Sequence, residues 1–118
     1  MSTVNASTLP TIKQGDAYNI PVKLYFNGDA IDSETLDLLD EIEFALGELP
    51  PVRIKADEAY STALGEFLLP VTQEMTFALP VGTTYLDVRV QFLGGDVLGV
   101  RQKAKIKVVD ATSEQILD

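Results

Sequence analysis

The chain contains no histidine, no cysteine and no tryptophan. Without histidine it lacks the commonest general base at neutral pH and the commonest transition-metal ligand. Ser-His-Asp and Cys-His catalysis are thereby excluded. Without cysteine there are no disulfides, no thiolate chemistry and no Cys-based metal site. No run approaches the roughly 20 consecutive apolar residues of a membrane-spanning helix. The first residues, MSTVNASTLPTIKQG, have neither a basic nor an apolar signal region, so no secretory signal is expected. Basic residues are scarce too. Nine Lys and Arg stand against 18 Asp and Glu, a net charge of −9. Such a chain repels phosphate backbones and anionic lipid, so neither nucleic acid nor a membrane is an expected partner.

What the chain has is alternation. Residues 18–26 (YNIPVKLYF), 84–93 (TYLDVRVQFL) and 97–109 (VLGVRQKAKIKVV) place apolar side chains at every second position. Successive side chains on a strand point to opposite faces, so this period marks strands with one buried face. Shorter segments at 9–14, 42–46, 52–56 and 67–71 complete about seven strands. At 118 residues the chain is expected to be a single domain, 1–118, large enough to bury roughly two-thirds of its unfolded surface. The expected fold is all-β, an immunoglobulin-like antiparallel β-sandwich with one short helical turn. That turn is read at 72–79, with Thr72 as its N-cap, Glu74 in the first turn and Pro80 after it. Residues 31–40 lose the alternation and fit either a turn of helix capped by Ser33, carrying Leu36 and Leu39, or a loop. Residues 1–8 read as a flexible N-terminal arm and 111–118 as a C-terminal tail.

Some positions depart from the pattern. Pro21 falls on the outward row of its strand and cannot donate to a ladder, so that strand is expected at an edge or a bulge. Gln102 falls on an inward row, which points to a bulge or a buried polar group needing a partner.

Three constellations stand out. Residues 29–48 carry Asp29, Asp32, Glu34, Asp37, Asp40, Glu41, Glu43 and Glu48 with no basic residue among them. Calcium favours clustered carboxylates, but the DxDxDG loop spacing is missing. The stretch therefore reads as a solvated acidic face or an electrostatic docking surface, with Asp37, Asp40 and Glu41 as candidate contacts. Arg101, Lys103, Lys105 and Lys107 fall at every second position and share a face. Outward lysines blunt an edge strand against mispairing. They also suit contact with an acidic face, in the same copy or the next. The last set is apolar and outward, with Leu68, Pro70 and Tyr25 as a partner surface or as ordinary scattered exposure. No Gly-rich loop has phosphate-binding form, because Gly94-Gly95-Asp96 makes a hairpin instead of opening a helix. No catalytic, cofactor or metal residue is assigned, and an enzyme is not expected.

The segment IKQGDAYNIPVKLYFNG (12–28) resembles the start of small tail and baseplate proteins of phages and prophages of Gram-positive bacteria. In particular, it resembles the N-terminal immunoglobulin-like domain of phage baseplate upper proteins. YLDVRVQFLGGDVLGVRQKAKIKV (85–108) resembles that family's closing hairpin, and VTQEMTFALP (71–80) a turn common in such proteins. The resemblance implies a non-enzymatic structural protein of a particle. Its partners would be copies of itself or other virion proteins, and it would assemble in the host cytoplasm and leave in the virion. A carbohydrate-binding module is the alternative. It requires exposed aromatics, and the chain offers Tyr18, Tyr25, Tyr60 and Tyr85.

Overall fold

The computed structural model describes residues 11–100 and 103–111, and the backbone pairing of 4–6. In chain order the elements are β1 (Val4–Ala6), β2 (Ile12–Lys13), β3 (Tyr18–Phe26), β4 (Asp29–Ala30) and α1 (Ser33–Leu36). Then come β5 (Leu39–Leu46), β6 (Val52–Lys55), α2 (Ala56–Ala59), β7 (Glu66–Val71) and α3 (Gln73–Ala78). The chain closes with β8 (Gly82–Phe92), β9 (Val97–Gly99) and β10 (Ala104–Val109). In one sheet β3 pairs with β1, β4 and β7. The other runs β2-β10-β8-β5-β6, with β9 continuing the β10 side of β8. β8 flanked by β5 and β10, opposite a sheet built on β3 and β7, is the immunoglobulin-like arrangement.

The inward rows read from the alternation are the core. Ile20, Val22 and Leu24 of β3 and Phe67, Leu69 and Val71 of β7 are buried. They face Ile42, Phe44 and Leu46 of β5 and Leu86, Val88 and Val90 of β8, also buried. Fully burying one such side chain contributes ~1.5–3 kcal/mol, so these four rows supply most of the apolar driving force.

Several expectations are corrected. Val4–Ala6, placed in a loose arm, instead pairs antiparallel with Leu24–Phe26. The sheets are not wholly antiparallel, because β2 runs parallel to β10, Ile12 opposite Val108. The helical turns number three among the described residues rather than one. The first is capped by Asp32, not Ser33, and Leu39 belongs to β5. Ala56, read as the end of a strand, begins α2. The expected final strand is divided into β9 and β10. Gln102 and Arg101, at that division, lie outside the described residues, as do 1–3, 7–10 and 112–118.

Two prolines explain where the first sheet stops. Pro21 stands opposite Leu68, and Pro70 opposite Asn19. Both pairs are out of phase with Leu24, whose N–H bonds the Gly65 carbonyl at 2.8 Å. The backbone nitrogens of both prolines therefore face away from the β3–β7 ladder, where no donor is required. Among the described residues, β1 pairs only with Leu24–Phe26 of β3.

The chain changes sheet twice at one end, at residues 14–17 between β2 and β3 and at 72–81 between β7 and β8. Thr76 joins the two crossings. It is fully buried. Its hydroxyl accepts from the Gly15 N–H (2.9 Å) and donates toward the carbonyls of Asp16 (2.9 Å) and Gln73 (3.2 Å). Gln14 Nε2 donates to the Leu79 carbonyl at 2.7 Å. Gly15 has φ +91°, and a Cβ there would sit 3.0 Å from the Phe77 ring, so only glycine fits the turn without strain. Thr72 caps α3 as expected, accepting from the Met75 N–H at 3.2 Å.

Thr76→Val keeps the shape and removes the hydroxyl, leaving the Gly15 N–H without its acceptor. It is expected to destabilise the fold by ~1–3 kcal/mol. Urea unfolding checks this, with a lower midpoint at unchanged slope and a smaller loss in Thr76→Ser. A second expectation concerns Asp32, whose Oδ1 accepts from the Thr35 N–H at 2.8 Å. That bond holds its carboxyl below the ordinary carboxylate range. A lowered folded pKa stabilises above the unfolded value and is lost as pH falls through the folded one. Protection of the Thr35 amide, taken relative to its intrinsic exchange rate at each pH, is therefore expected to fall on acidification through that window. Asp32→Asn, which keeps an acceptor, is expected to abolish the pH dependence.

Candidate interaction surfaces

The outward face of β5, β6 and β8 is a lattice of opposite charges. The register sets Glu43 between Arg53 and Arg89, and Glu41 between Lys55 and Gln91. Arg89 donates through Nε and Nη2 to Glu43 Oε1 at 2.9 and 2.6 Å. Arg53 reaches diagonally to Glu41 at 2.6 Å, and Lys55 reaches Asp40 at 3.0 Å. The bond to Asp40, with its negative charge, raises the Lys55 ammonium above its ordinary range. Two of the expected acidic contacts, Asp40 and Glu41, are thus engaged by cations of their own chain. The stretch has no basic residue in sequence, and the fold supplies them from β6 and β8. Asp37 is exposed beyond α1.

The basic row lies on the opposite edge of that sheet. Lys103 is exposed, and Lys105 and Lys107 project outward from β10 opposite Tyr85 and Thr83. Arg101 lies outside the described residues. Leu68 is half-buried and Pro70 exposed on the other sheet, where they stand beside Pro21 and Asn19. They form a small apolar patch separate from the lysines.

A larger apolar feature sits where β3 and β8 end. Phe26, Leu38, Phe92, Leu93 and Leu98 line a shallow cleft of about 400 Å³. Its floor is the pair Phe26–Phe92, ring centroids 5.4 Å apart. Leu93 and Leu38 stand out of it, 66% and 55% exposed, tied by the bond from the Leu93 N–H to the Leu38 carbonyl (2.9 Å). Val97, half exposed, follows on the outer side of the hairpin. Reading strands by alternation passed over these residues. The signal was present: Leu93 and Val97 flank Gly94-Gly95-Asp96, where a hairpin turn in water is ordinarily polar. Asp29, Asp37 and Asp96 stand exposed at this end.

The tyrosines form no common platform. Tyr60 packs edge-on to Phe67, Tyr18 is half-buried, and Tyr25 and Tyr85 lie on the outer faces of different sheets. Among the described residues no three Asp or Glu side chains converge as a metal set. No protein-family model matches the chain, and no curated protein matches it significantly.

The Arg89–Glu43 pair is partly exposed, at 56% and 21% of the side chains. A double-mutant cycle through Arg89→Ala and Glu43→Ala is expected to give a coupling of at most ~1 kcal/mol, shrinking as salt rises. Thermal or urea unfolding of the four proteins measures it.

Proposed function

We propose that this chain is a non-enzymatic structural module of a phage or prophage particle, acting through protein–protein contacts. The observation that carries the reading is the cleft at the end of the sandwich. Two large aliphatic side chains, Leu38 and Leu93, are more than half exposed there over an aromatic floor. Contiguous apolar exposure on a folded domain marks a surface that another protein covers. The surrounding carboxylates add orientation, since charge at an interface rim steers encounter and rejects wrong partners.

The particle assignment rests on the resemblance. Its two turn segments, around Gln14-Gly15-Asp16 and 71–80, are the ones joined through Thr76. The hairpin segment 85–108 carries the rim of the cleft and, at its other end, the outward Lys103, Lys105 and Lys107. A shared contact surface built on such segments is what a particle component needs. No arrangement of the tyrosines favours the carbohydrate alternative.

Fractionation of lysed source cells tests the reading. In a density gradient, antibody to this chain is expected to follow the particle band at a fixed ratio to the major particle protein. Recovery only among unassembled proteins at the top of the gradient overturns it.

A further inference from the structure

Exposed apolar side chains gather at two places along β8, and the two differ in charge. At the Phe92 end are Leu38 and Leu93, with Asp29, Asp37 and Asp96 exposed around them. Toward the Gly82 end are Val81 and Tyr85, 53% and 45% exposed. Lys105 lies directly beside Tyr85, and Lys107 beside Thr83. Lys103 precedes them on the same edge, and Asp87 is an acid on that face. The 11 residues of β8 separate the strand's two ends by about 33 Å.

We propose that these surfaces recognise each other between copies, so that the acidic, apolar end of one chain docks on the lysine-flanked Val81–Tyr85 face of the next. The inference rests on reading the chain as an assembly module and names the partner of its cleft. Three features favour a second copy. Each surface has the apolar exposure that the other lacks a cover for. Their rims carry opposite charge in a chain whose net charge is −9, where a positive face is the exception. Their separation prevents both ends from meeting the same partner surface, so the contact is heterologous and repeats from copy to copy as a ring or a filament.

The test is light scattering on the whole chain across concentration and salt. Wild-type protein is expected to gain mass with concentration and lose it as salt screens the rims. Leu93→Asp blocks one surface and Lys105→Glu/Lys107→Glu the other. Each is expected to weaken self-association at least about tenfold. The altered side chains are exposed, and an unchanged melting temperature checks the fold of each variant. The decisive sample is an equimolar mixture of the two blocked proteins. Each retains the surface the other has lost, so the mixture is expected to form a one-to-one dimer and nothing larger. A wild type that stays monomeric throughout overturns the proposal. So do blocked variants that associate like wild type, or a mixture that stays monomeric while the wild type assembles. Failure here leaves the particle role standing on its own gradient test. Head-to-tail association by a chain absent from particles overturns the particle role alone.

Discussion

A single buried hydroxyl ties together two of the places where the chain passes from one sheet to the other. A sandwich requires its backbone to leave one sheet and enter the other. The residues that cross have no ladder to satisfy their N–H and C=O groups. Two of the crossings, at 14–17 and 72–81, fall at one end, and Thr76 serves both. It accepts from Gly15 in one crossing and donates to Asp16 in that crossing and to Gln73 in its own. Gln14 repeats the tie through its side-chain amide to Leu79. The sheets are thus held face to face by polar groups at a point where apolar packing thins out. The core rows of β3, β7, β5 and β8 stack behind that closure.

The outer surfaces follow from what the core leaves over. Every strand that sends one row inward sends the other row out. On β5, β6 and β8 those outer residues alternate in sign across strands, and the sheet neutralises itself locally. The same rule has no compensation at the strand ends. Beyond the last ladder bonds of β3 and β8, the rings of Phe26 and Phe92 are half-covered and the hairpin leucine stands in solvent. Charge is balanced on the flanks of the molecule, and apolar surface is left at its end.

Much of the architecture was legible because alternation is a direct imprint of burial. Ile20, Val22 and Leu24, or Leu86, Val88 and Val90, allow no other phase without turning an apolar row to water. The prolines at 21 and 70 occupy positions whose nitrogens face away from the β3–β7 ladder. What the pattern did not carry were pairings fixed by tertiary position. Val4–Ala6 is too brief to show a period, and the strand read at 9–14 gave no sign that Ile12–Lys13 runs parallel to β10. Asp32 outcompeted Ser33 as a cap through a geometry that a residue-by-residue reading does not contain. The cleft was hidden by the opposite error. Leu38 lies in a segment read as a helical turn or loop and Leu93 at the end of one read as a strand, and only the bond between their backbones shows that they stand side by side.

The two prolines of the first sheet have a consequence for how any contact of this protein is made. Pro21 and Pro70 withhold N–H groups from the sheet margins. Lysines and arginines line the margins of the other sheet. Main-chain recognition, which is indifferent to residue identity, is thereby discouraged, and association is left to side chains. An interface made of side chains can be rewritten one substitution at a time while the scaffold beneath it stays intact. Partner choice and folding become separable traits in a chain of this size, and each is free to drift without endangering the other.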